Sequence, residues 1–83
     1  MRVLYFAWLR ERLGKTGENL TLPADIQTPR AMIGWLRGLS PAYASAFADE
    51  SLIRCALDQE FQALDAAFDG AEEIAFFPPV TGG

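Results

Sequence analysis

The chain has 83 residues and a mass of 9.1 kDa, room for one small domain, because a chain this short buries only about 60–65% of its unfolded surface. Hydrophobic residues make up 51% and charged residues 22%, with six Phe, two Trp and two Tyr, a balance that excludes disorder. One cysteine, Cys55, and no histidine exclude an internal disulfide, Cys/His metal sites and imidazole acid–base chemistry, while a net charge of −4 argues against nucleic acid and anionic membranes.

Val3-Leu4-Tyr5-Phe6-Ala7-Trp8 is rich in β-formers and reads as a first strand, central in a sheet. Trp8 to Leu13 reads as a short helical stretch stopped by Gly14, and Glu18 to Leu22 as a second strand ended by Pro23. Thr28-Pro29 is a helix start, a capping hydroxyl followed by a proline at the first helical position. The main helix is expected over residues 29–39, with Met32, Leu36 and Leu39 on one face and Ile33 and Trp35 flanking. Pro41 to Ala48 is a second short helix or turn whose Tyr43 and Phe47 lean on the core. The stretch from 38 to 47 carries no functional signal.

Leu52 to Leu57 reads as a strand that Asp58-Gln59-Glu60 turns into a short edge strand around Phe61. Asp69-Gly70 is a turn and Glu72 to Phe77 the last strand, stopped by Pro78-Pro79, which cannot donate to a ladder. This order, with one main helix, gives an α+β fold: a mixed sheet of about five strands packed on that helix in a β-grasp-like arrangement. Residues 1–78 form the domain and 79–83 a flexible tail.

The tail is the most informative segment. Gly82-Gly83 offer a thin, side-chain-free end that fits a narrow channel, and the reactive group would be the α-carboxylate of Gly83, which needs activation before it can react. Cys55 lies among strand hydrophobes and reads as core. Asp49-Glu50 and Glu72-Glu73 read as solvated turns, so no metal site is expected. Strand parity sets Ile74 and Phe76 on one face and Phe77 on the other. One helix covers one face, so Phe77, with Phe6 and Phe61, is expected to form an apolar docking patch. The rival arrangement is a second small cluster sealed by residues 41–48.

Phe76-Phe77-Pro78-Pro79-Val80-Thr81-Gly82-Gly83 resembles the terminal signature of the small, sulfur-carrier subunits of molybdopterin synthase. Val3 to Ala7 leading into Arg10-Glu11, and Asp69-Gly70 followed by Glu73-Ile74-Ala75, resemble that family's first strand and last hairpin. The resemblance implies a ubiquitin-like β-grasp fold and a non-catalytic subunit that binds no cofactor of its own. Gly83 would be adenylated at the expense of ATP by an activating enzyme of the ubiquitin-activating type, then converted to a thiocarboxylate. Its sulfur would pass to cyclic pyranopterin monophosphate inside a large subunit, in a 2+2 heterotetramer. Gly82 and Thr81 would complete the inserted tail, and Pro78, Pro79 and Val80 would join Phe6, Phe61 and Phe77 in partner binding. The longest apolar run, Val3 to Leu9, is far short of the roughly 20 residues of a membrane span, and a cytoplasmic location is expected. Three alternatives are a thiamine-type sulfur carrier, a ubiquitin-like protein modifier and a plain interaction module with an inert tail.

Overall fold

The computed structural model describes residues 1–79. In chain order they form β1 (Arg2–Tyr5), α1 (Trp8–Leu13), β2 (Gly17–Asn19), α2 (Pro29–Arg37), α3 (Pro41–Ala46), a 3-10 turn (Glu50–Leu52), β3 (Arg54–Leu57), β4 (Glu60–Gln62) and β5 (Glu73–Phe77). The strands make one sheet in the order β2-β1-β5-β3-β4. β1 and β5 run parallel with Val3 opposite Ile74 and Tyr5 opposite Phe76, and β3 pairs antiparallel with β5, setting Cys55 opposite Phe76 and Leu57 opposite Ile74. Alternation along each strand therefore lines Val3, Tyr5, Cys55, Leu57, Ile74 and Phe76 along one face, all buried.

That face receives α2. Thr28 caps it, its hydroxyl accepting from the Ala31 amide at 3.1 Å, and Pro29 opens the first turn. Met32, Ile33 and Leu36 are fully buried against the sheet, each stabilising the fold by about 1.5–3 kcal/mol. α3, capped by Ser40, closes one end of this core. Phe47, just beyond it, is fully buried and packs edge-on to Phe76, ring centroids 5.1 Å apart, and to Tyr5 at 6.4 Å. The segment around α3 thus seals the helix side of the sheet, not the side of Phe77.

Several boundaries differ from those read in the sequence. β1 ends at Tyr5 because Ala7, at φ 55°, turns the chain into α1 and leaves Phe6 on the rim, 46% exposed. An alanine at positive φ gives no local signal of such a turn. β2 starts at Gly17 and ends at Asn19. Gly17 is needed there, since a Cβ would come within 2.7 Å of the Val3 carbonyl oxygen, and Leu20 and Leu22 pack on the core from outside the strand. α2 stops at Arg37, so Leu39 lies beyond it and is 45% exposed rather than continuing the apolar stripe. Leu52 belongs to the 3-10 turn and is exposed, with Ile53 taking the buried position before β3. β5 starts at Glu73, one residue later than read.

Candidate functional site

Among the described residues, the opposite face of the sheet carries no helix. Register places Leu4 beside Ala75, Ala75 beside Ala56, and Ala56 beside Phe61, one row across β1, β5, β3 and β4. Two alanines make a low floor between taller walls. Leu4, Phe6, Ala56, Phe61, Ala75 and Phe77 line a groove of about 490 Å³, with Gln59 and Glu73 at one end. Phe61 is 78% exposed, and its ring lies 5.3 Å from that of half-buried Phe77, tilted by 42°. Two aromatic rings held side by side in water form an adhesive patch rather than a core. Pro78 and Pro79, both half-buried, continue β5 directly from the wall of this groove.

The model of the ThiS family matches residues 3–83. The chain belongs to the ThiS family. Among the relatives of this ThiS-family chain, the molybdopterin synthase sulfur carrier subunit of Escherichia coli is 35% identical over 83 residues, covering 100% of this chain and 99% of its own. That of Haemophilus influenzae is 36% identical over 83 residues, with the same coverage. The crystal structure of SAMP1 from Haloferax volcanii superimposes with a TM-score of 0.72 at 32% identity, covering 100% of this chain and 98% of the other. A Pyrococcus furiosus structure, described as a molybdopterin converting factor subunit 1, shares the fold with a TM-score of 0.65 at 21% identity and 95% coverage of both chains. The fold is ubiquitin-like β-grasp, as the terminal signature implied.

Of the residues singled out in the sequence of this ThiS-family domain, Phe6, Phe61 and Phe77 come together on the one groove. Val80, Thr81, Gly82 and Gly83 lie outside the described residues. Leu4, Ala56 and Ala75 were missed as groove residues, although Leu4 shares parity with Phe6, and Ala75 with Phe77. The signal was there, but pairing register was needed to bring Ala56 and Ala75 into one row. Cys55 is buried, its Sγ 3.3 Å from the Gln62 carbonyl oxygen, and burial pushes its thiol up to about 11, so it is no nucleophile near neutral pH. Asp49 caps the 3-10 turn through the Ser51 amide and hydroxyl, and among the described residues no group of three or more His, Cys, Asp or Glu could hold a metal ion. Among the same residues no helix is long and apolar enough to cross a membrane.

A polar cluster at the edge of the domain also went unread. The Tyr5 and Tyr43 hydroxyls both donate to Oε2 of Glu18, the former at 2.7 Å, while Lys15 Nζ donates to Glu18 Oε1 and to the Tyr43 hydroxyl, each at 3.1 Å. Burial works to raise the Glu18 carboxyl, but hydrogen bonds from Tyr43, Tyr5 and Lys15 outweigh it and hold the group below its ordinary range. These residues come from β1, β2, α3 and the loop after α1, up to 38 positions apart, so no local pattern announces them.

Proposed function

We propose that this chain is the sulfur carrier of molybdenum cofactor biosynthesis and that Gly83 is its reactive residue. An activating enzyme of the ubiquitin-activating type joins the Gly83 carboxylate to AMP, using ATP and releasing pyrophosphate. A sulfur donor then displaces AMP and leaves a thiocarboxylate. The polarizable anionic sulfur attacks carbon where a carboxylate would not, and insertion of the tail into a large subunit holds it against cyclic pyranopterin monophosphate. The chain is a reagent rather than a catalyst, binds no cofactor itself, and works in the cytoplasm in a 2+2 heterotetramer with the large subunit.

The observation that carries this reading is the open apolar groove at the exit of β5. Its walls, Phe6, Phe61 and Phe77, flank the point where Pro78-Pro79 lead to the terminal glycines. A partner that takes in the tail meets this groove first, which supports docking of the large subunit and, at another stage, of the activating enzyme. The test is mass spectrometry of the intact chain after incubation with ATP, the activating enzyme and a sulfur donor. One oxygen should be replaced by sulfur at Gly83, and the product should convert the cyclic pterin when the large subunit is added. Gly82→Val, or one residue added after Gly83, should abolish transfer without changing the melting temperature, since the buried core is built from residues 3–76. Normal transfer by the extended chain overturns the assignment.

A further inference from the structure

An activated acyl terminus is a hazard to the protein that bears it. Any neutral amine within reach can attack the carbonyl, forming an amide while AMP leaves and the amine's proton passes to water. Guanidinium groups do not compete, because they stay protonated. Six of the seven basic side chains here are arginines, and Lys15 is the one lysine.

We propose that Glu18 and Tyr43 hold Lys15 as a guarded, poorly nucleophilic ammonium, so that the chain does not acylate itself or its copies while its own terminus is activated. This rests on the carrier reading of Gly83. The geometry leaves the amine little freedom. Nζ gives one proton to Glu18 Oε1 and one to the Tyr43 hydroxyl, both at 3.1 Å, and sits 5.4 Å from the centroid of the Tyr43 ring. Glu18 cannot swing away, because its other oxygen accepts from both Tyr5 and Tyr43. Tyr5 is 1% exposed and Tyr43 9% exposed, so the acceptors are anchored in the core although the lysine side chain is 39% exposed. A protonated amine has no lone pair to offer, and the Tyr43 hydroxyl, then the Glu18 carboxylate, raise its proton affinity. The α-amine of Met1 is likewise engaged, donating to the Leu20 carbonyl at 2.9 Å.

The experiment compares Lys15 with an unguarded lysine in one molecule. In Arg10→Lys the new amine sits on an exposed position of α1. The folded full chain is treated with a limiting amount of an acetyl N-hydroxysuccinimide ester and the sites are mapped by peptide mass spectrometry. Lys15 should react about threefold or more slowly than the lysine at position 10, and Glu18→Gln should bring it close to that rate. Should Glu18→Gln fail to fold, Tyr43→Phe keeps the buried ring and removes only the hydroxyl, and Lys15 should still speed up. In a second arm, the chain carries a chemically installed thioester at Gly83. Isopeptide-linked dimers should form faster in Arg10→Lys than in the parent chain. Equal reactivity of the two lysines, no response to Glu18→Gln or Tyr43→Phe, or equal dimer formation overturns the proposal. Both acyl donors are made chemically, so a chain that no enzyme activates would overturn the carrier reading while the guarding of Lys15 is still measured.

Discussion

Phe76 and Phe77 are neighbours in sequence with opposite work to do, and substitutions should separate them. Phe76 is fully buried and packs against Phe47, so Phe76→Ala should cost about 3–5 kcal/mol. For a chain of this length total stability is about 4–12 kcal/mol, and each kcal/mol is about 4–8 °C of melting temperature, so this variant should melt at least ~12 °C lower or not fold. Phe61 is 78% exposed and already solvated, so Phe61→Ala should change the lone domain by no more than about 0.5 kcal/mol. Phe77 leans on Phe61, which places the stability cost of Phe77→Asp between the two. Binding should sort the positions the other way. Burying a Phe side chain contributes about 1.5–3 kcal/mol, so losing one from the centre of an interface should raise Kd for the large subunit about 10- to 100-fold. Circular dichroism melting and titration calorimetry against the large subunit make the comparison. Kd within about twofold of the parent value for both Phe61→Ala and Phe77→Asp would refute the docking groove. A melting loss for Phe77→Asp as large as that for Phe76→Ala would show that Phe77 is core.

Glu18→Gln should also change how stability depends on pH. The folded carboxyl titrates below its ordinary 4.5, so its contribution is fully present above that value and is lost as pH falls through the lower folded value. The variant should melt below the parent at neutral pH and converge with it in acid, as followed by melting at a series of pH values. In the β3–β4 hairpin, Asp58 and Gln59 have φ of 47° and 72°, the two positive values of a two-residue turn that favours Asp-Gly. Gln59→Gly relieves about 1–2 kcal/mol of left-handed strain and loses about 0.5–1 kcal/mol to chain entropy. A net gain of about 0.5–1 kcal/mol should raise the melting temperature by about 2–8 °C, and a lower one would show that the Gln59 side chain supports the fold.

How legible the molecule was in its sequence depends on the distance over which each signal acts. The cap at Thr28, the Pro-Pro stop after Phe77 and the Asp69-Gly70 turn are local, and they stand where they were read. The strand ends at Tyr5 and Asn19 were not legible. One is set by Ala7 at positive φ and the other by where the backbone leaves its partner, neither of which residue type announces. Leu39 fits the helical period, but α2 ends before reaching it. The aromatic walls of the groove followed from parity alone, whereas its alanine floor required the pairing of β3 with β5. The Lys15–Glu18–Tyr43 cluster required the Tyr43 side chain of α3 to reach Glu18 of β2, a contact that no alternation rule encodes.

That parity has a consequence for the tail. Side chains alternate with a period of two, so a one-residue slip of β5 against β1 would turn Phe77 into the core and Phe76 out to the groove. The slip is opposed from both sides of β5. On one side Phe6 N–H donates to the Phe76 carbonyl at 3.1 Å, extending the parallel ladder one residue past β1. On the other, Arg54 and Cys55 of β3 stand opposite Phe77 and Phe76. Inside, Ile74 and Phe76 are fully buried against α2 and the Phe47 ring, and in such a slip the smaller Ala75 would fall where Ile74 packs and could not fill its space. Pro78 and Pro79 then end the strand, since neither can donate to a further rung. The same packing that stabilises the domain therefore also fixes the face of the sheet beside which Pro78 and Pro79 leave β5, next to the groove.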